Sequence, residues 1–232
     1  MTSVNILSGG AAQGLVASLA TDFKTRTGFE IAGEFGAVGA MADKLRSGTP
    51  TDLIILTAAL VARLAEDGLV IPASIADVGT VETALAVRSD DQMLSVRNAD
   101  ELRAAFLAAD AIFVPDIKTS TAGIHVANVL QRLGIAGDVA ARLQVYPNGA
   151  TAMRHLATST AARPIGCTQS TEIISTEGVA LSGALPPGCE LRTMYTAAVT
   201  TRAKSPAEAK ILIDLVTSLD AQAARVRAGF MN

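Results

Sequence analysis

The sequence contains no tryptophan, only two tyrosines and six phenylalanines, which argues against aromatic platforms for stacking bases or sugar rings. Cysteine is nearly as scarce. Cys167 and Cys189 stand apart, without a CxxC pattern or histidine-rich company, so they read as two inert thiols, and neither a metal nor a cofactor is expected. Charged residues make up 18% of the 232, the formal net charge is −3 and Lys and Arg are scattered, so no basic stripe offers itself to a phosphate backbone and nucleic acid is not an expected partner. No apolar run approaches the roughly 18 residues of a membrane span, and no membrane insertion is expected. The first residues, MTSVNILSGG, lack a charged n-region and a long apolar h-region. As written, the chain reads as cytoplasmic; it reads as periplasmic if it is a trimmed mature form.

What is present is hydrophobic substance. Half of the residues are hydrophobic, enough for a sizeable core in one or two compact lobes and contrary to the signature of disorder. Recognition by such a chain falls to hydroxyls, backbone amides and charge. A monomer is expected, because nothing in the sequence marks an interface.

Strand and helix periods alternate along the chain. Strands are expected at Val4 to Leu7, Phe29 to Glu34 and Asp52 to Leu56, each followed by a helix, at Ala11 to Thr25, Gly39 to Ser47 and Ala58 to Asp67. The pattern continues with a strand from Thr83 to Arg88, a helix from Ala99 to Ala108, a strand from Ala111 to Val114 and a helix from Thr121 to Leu133. Further strands fall at Leu143 to Tyr146 and Pro164 to Thr168 around a helix from Ala150 to Thr158. An extended segment from Met194 to Thr200 leads to one last helix, Pro206 to Ala228. Repeated β-turn-α units imply α/β lobes with mostly parallel sheets. More than ten elements suit two lobes better than one, with Thr80 to Ala86 and Met194 to Val199 as crossover segments. The expected division is residues 1–82 with 196–232, and residues 83–195, with a ligand cleft between the halves.

Five blocks in order carry a family resemblance: SGGAAQGL, FGAVGAMADKLRSGTPTDLIILT, TSTAGIHVANVLQRLGI, GATAMRHLATSTAARPIGCTQSTEI and GVALSGALPPG. Together they span nearly the whole chain, and it resembles the molybdate-binding-protein-like branch of the type 2 periplasmic solute-binding proteins. The resemblance implies two Rossmann-like lobes joined by two hinge strands, a small anion held by helix N-termini, and an ABC transporter permease as partner. Helix N-termini lead to the same chemistry without the family: their unsatisfied N–H groups and partial positive charge suit an anion wherever the loop has no bulky side chain.

Carried over block by block, the resemblance makes Ser8, Gly9 and Gly10 a first ligand loop, and Ala37, Val38 and Gly39 a second. Molybdate binders place serine in the second loop, so Ala37 and Val38 depart from the pattern and point away from molybdate, towards an organic carboxylate. Ser120, Thr121, Ala122 and Gly123 match a third loop, Asn148, Gly149 and Ala150 a fourth, and Thr168 and Gln169 lie at a strand end that supplies side-chain contacts. Each has a plainer reading: Ser120 or Thr121 as a helix cap, and Gly9, Gly10 and Gly149 as turn or packing glycines.

No GxSxG, HExxH, Walker or GxGxxG pattern is present, so ordinary hydrolase, kinase and dehydrogenase chemistry is unsupported. His155 reads as structural, and His125 stands one turn inside the third-loop helix. The family branch includes aconitate isomerase-like members, which move a proton on a tricarboxylate. That chemistry needs a base beside an acidic C–H, and His125, Lys118 and Cys167 are the candidates. The expected function is a solute-binding protein for a small organic carboxylate; the alternative is a cofactor-independent isomerase of a di- or tricarboxylate.

Overall fold

The computed structural model describes residues 2–231. By their internal contacts they form two compact units, Met1–Val81 with Thr193–Asn232, and Glu82–Arg192.

The first unit opens on three β-turn-α repeats: β1 (Ser3–Gly9) and α1 (Gln13–Thr27), β2 (Glu30–Gly36) and α2 (Val38–Arg46), β3 (Leu53–Thr57) and α3 (Ala58–Glu66). β1 pairs in parallel with both β2 and β3. All five residues of β3, LIILT, are buried, as expected of a parallel strand covered on both faces. The edge strand β2 is largely exposed or half-buried. β4 (Ala76–Arg88) then carries the chain into the second unit.

The second unit contains α4 (Ala99–Ala108), β5 (Ala111–Pro115), α5 (Thr121–Arg132), the short α6 (Ala136–Val139), β6 (Leu143–Tyr146), α7 (Gly149–Ala157), β7 (Pro164–Gln169), α8 (Ser170–Ile174) and β8 (Val179–Ala184). β5 runs parallel to β6 and β7, whereas β4 is antiparallel to β7 and β8. One face of this sheet packs Leu85 and Cys167 with Val126 and Val129 of α5. The other packs Ala84 and Ala86 with Ala152, Met153 and Leu156 of α7.

β9 (Arg192–Val199) returns the chain to the first unit and pairs antiparallel with β3. α9 (Pro206–Thr217) and α10 (Gln222–Arg227) complete it. The carboxylate of Asp52, 2% exposed, accepts from the amide of Asn5 at 2.8 Å and from those of Lys204 and Ser205 at 2.6 and 3.0 Å. The front of β1 and the start of α9 are thereby tied to one buried side chain.

The expected α/β class with mostly parallel sheets is what the chain adopts, and most of the predicted strands and helices lie close to their expected positions. β4 begins at Ala76, ahead of the expected Thr83, and β8, α6 and α8 were not expected. One helix is corrected. The single helix expected from Pro206 to Ala228 is two, because Ser218 turns extended at φ −60° and ψ 156°. Arg225 Nη1 donates to the carbonyls of Val216 and Ser218 at 2.9 and 2.7 Å, satisfying groups that a continuous helix would have paired.

Candidate functional site

In the first unit the ends of β1 and β2 deliver the chain to helix starts made of small residues. Ser8 is fully buried, and its hydroxyl donates to the carbonyl of Gly9 at 2.9 Å. Gly9 must be glycine: a Cβ there would lie 2.8 Å from the Tyr195 ring and 2.8 Å from Val38. Val38 thus brings the second loop against the first. The turn of 3₁₀-helix at Gly10–Ala12 and the helix α2, whose N-cap is Ala37, have no side-chain cap, whereas Thr57 accepts from the amide of Leu60 at the start of α3. Gly39 is half-buried on the first turn of α2.

In the second unit the loop before α5 is shaped by Asp116. Its carboxylate accepts from the amides of Lys118 and Thr119 and from the Thr119 hydroxyl, at 2.9, 2.7 and 2.8 Å. These bonds, led by the Lys118 amide, hold Asp116 below the usual carboxylate range. Ser120 follows as N-cap of α5 but makes no side-chain capping bond, so the plain capping reading does not describe it. Thr121 is half-buried and Ala122 fully buried. Gly123 is a packing residue, since a Cβ there would meet the carbonyl oxygens of Asp116 and Pro115 at 2.2 and 2.5 Å.

The start of α7 is built differently. Asn148 is a true N-cap, its Oδ1 accepting from the amide of Thr151 at 2.8 Å. The carboxyl of Glu172 lies directly against Gly149, where a Cβ would come within 1.9 Å of Oε2, with the backbone of Ala150 and Gln169 beside it. Thr168 Oγ1 donates to Glu172 Oε2 at 2.6 Å. Burial pushes the Glu172 carboxyl above its ordinary range, while the donors from Thr168, Ala150, Gln169 and Gly149 pull against that rise. Asn148, Gly149, Ala150, Thr168 and Gln169 are therefore gathered round a residue that the sequence reading passed over. A signal for it existed: Glu172 is the third residue after the N-cap Gln169, the spacing of a capping box.

Side chains alternate along β7, so Thr168 faces α7 while Cys167 and Gln169 face the α5 side. Gln169 is 2% exposed, and neither its Nε2 nor its Oε1 has a partner. Its register neighbour on β4 is Thr83, whose buried hydroxyl is also unpartnered. Thr83 was likewise absent from the sequence reading.

The three candidate bases sit in different settings. His125 Nε2 lies 2.7 Å from the Cys189 carbonyl oxygen. Cys167 is fully buried, and its thiol is pushed up to about 12. Lys118 is exposed. His155 stacks on Tyr146 with centroids 4.2 Å apart. Among the described residues, no three His, Cys, Asp or Glu side chains cluster as a metal site, and no helix is long and apolar enough to cross a membrane.

Among curated proteins, the chain is 23% identical over 232 residues to an aconitate isomerase from a Pseudomonas species, covering 95% of this chain and 84% of that protein. Its fold matches the periplasmic molybdate-binding protein of Azotobacter vinelandii with a TM-score of 0.83, at 17% identity and 99% coverage of both chains. The sulfate-binding protein SubI of Mycobacterium tuberculosis matches with a TM-score of 0.75 at 18% identity, covering 99% of this chain and 86% of the other. The model of the bacterial extracellular solute-binding proteins fits residues 4–231, and the chain belongs to that family.

Proposed function

We propose that this solute-binding protein takes a small organic carboxylate, contacted in the second unit by Ser120, Thr121 and Gln169. The observation that carries the reading is the Gln169 amide, buried with a donor and an acceptor both unused, an arrangement that costs roughly 1–3 kcal/mol per group unless something polar meets it. The uncapped Ser120 leaves the amides at the start of α5 open to an anion. Similar proteins described as molybdate-binding and sulfate-binding, and a relative described as an aconitate isomerase, all meet oxygen-rich anions. The second loop, with Ala37 and Val38 in place of hydroxyls, favours a partly apolar organic acid over a tetrahedral oxyanion.

Calorimetric titration with a panel of small carboxylates, both aconitate isomers included, tests the reading. A carboxylate binds with a dissociation constant in the micromolar range, and Gln169→Leu and Thr121→Ala each weaken it about tenfold or more. A panel without binding, or variants that bind as the wild type does, would overturn it. The aconitate isomerase relative favours a second reading, proton transfer on a tricarboxylate. Proton NMR in deuterated buffer separates the two: incorporation of deuterium into aconitate marks the enzyme, and line broadening alone marks the binding protein.

A further inference from the structure

The Glu172 carboxyl stands, from within the chain, against a helix start that an external anion would otherwise occupy. α7 is nine residues long, and the Glu172 carboxyl sits against its first residue, Gly149, while accepting from Thr168 Oγ1. The groups facing the carboxyl, the Thr168 hydroxyl and the backbone of Gly149, Ala150 and Gln169, favour its charged form, as around a bound carboxylate. Gly149 makes room for it: a Cβ at that position would lie 1.9 Å from Glu172 Oε2 and 2.1 Å from Thr168 Oγ1. Glu172 is 5% exposed, so the group is built into the fold.

We propose that Glu172 is a specificity-determining residue, a tethered anion that closes the start of α7 and leaves external anionic groups in this unit only the start of α5. On the α5 face of the sheet, the unpartnered Gln169 amide and Thr83 hydroxyl then meet an uncharged hydroxyl or carbonyl of the same ligand. Resting on the carboxylate reading above, this narrows the ligand to an organic acid that presents one carboxylate and one neutral polar group to this unit. A tetrahedral dianion is disfavoured, because Glu172 holds donors it would need and repels its charge.

Two variants test the assignment. Glu172→Ala empties the position and keeps its donors, so formate at tens of millimolar raises the Tm of this variant by roughly 2 °C or more and leaves the wild type unmoved. Glu172→Gln keeps the shape without the charge, and the ratio of sulfate or molybdate affinity to malate affinity rises about tenfold or more. The proposal is overturned if formate fails to stabilise folded Glu172→Ala, or if the ratio in Glu172→Gln stays at the wild-type value. Formate rescue requires no natural ligand. A wild type that binds no organic acid would thus sink the proposed function while the rescue still decides the role of Glu172.

Discussion

Thr168 and Glu172 share a hydrogen bond of 2.6 Å, and beside it the α-carbon of Gly149 approaches the same carboxyl with no side chain between them. Gly149→Ala therefore cannot be accommodated by a small shift. It is expected to cost about 3 kcal/mol by displacing the carboxyl from its donors. In urea denaturation the double variant Gly149→Ala with Glu172→Ala should lose less than the sum of the two single changes, because both break one cluster. Additive losses would separate Gly149 from Glu172.

Gly123 gives a second steric test with an internal control. Gly123→Ala places a methyl group against the Asp116 and Pro115 carbonyls, 2.2 and 2.5 Å from their oxygens unless the backbone shifts, and should lower stability by about 2 kcal/mol or more while displacing the start of α5. Gly137→Ala, on α6, meets nothing within 4 Å. It is expected to be neutral or stabilising by up to about 1 kcal/mol. Thermal melts of the two variants side by side check the contrast, and similar losses would refute it.

The pH dependence of stability has a definite sign at Glu172. Its folded-state value is raised from 4.5, chiefly by burial, so the folded chain still holds this proton at pH values where the unfolded chain has released it. The wild type is then most favoured relative to Glu172→Gln below the ordinary carboxylate range. That advantage declines as pH rises through the raised folded value, and is flat above it. Melting curves of both proteins between about pH 4 and 8 measure the difference, and an advantage that grows with pH would contradict the shift.

The thiols offer a chemical check on the core. Cys167 and Cys189 are free, buried at 0% and 4% exposure, and the Cys167 thiol is pushed up to about 12. Native protein at pH 8 should leave both unmodified by a thiol reagent over a time in which denatured protein reacts fully. Rapid native labelling of Cys167 would contradict its burial.

Much of the fold was legible because its signals are local. Alternation of apolar strands such as LIILT with amphipathic helices is written in residue order, and so are the small-residue turns joining them. The break between α9 and α10 was not, since it depends on Arg225 reaching back to two carbonyls. The loops of the candidate site were visible as clusters of Ser, Thr, Ala and Gly, and the departure at Ala37 and Val38 could be read directly. What those clusters do depends on partners brought from elsewhere: Asn148 turned out to cap its own helix, Thr168 to donate to Glu172, and Gly123 to clear two carbonyls. Glu172 and Thr83 escaped notice because a lone Glu or Thr has no meaning until the sheet register and the neighbouring helix start are known.

The grip of Asp52 on Asn5, Lys204 and Ser205 has a consequence for biosynthesis. The unit that begins the chain lacks β9 and α9 until the last segment has been made, whereas Glu82–Arg192 is continuous. On a ribosome, the second unit can therefore be finished while the first still waits for its missing strand and helix. Until then, the Asp52 carboxylate has only its Asn5 partner, and the apolar edge of β3 awaits β9. The order in which the molecule is synthesised is thus the reverse of the order in which its two units can be completed.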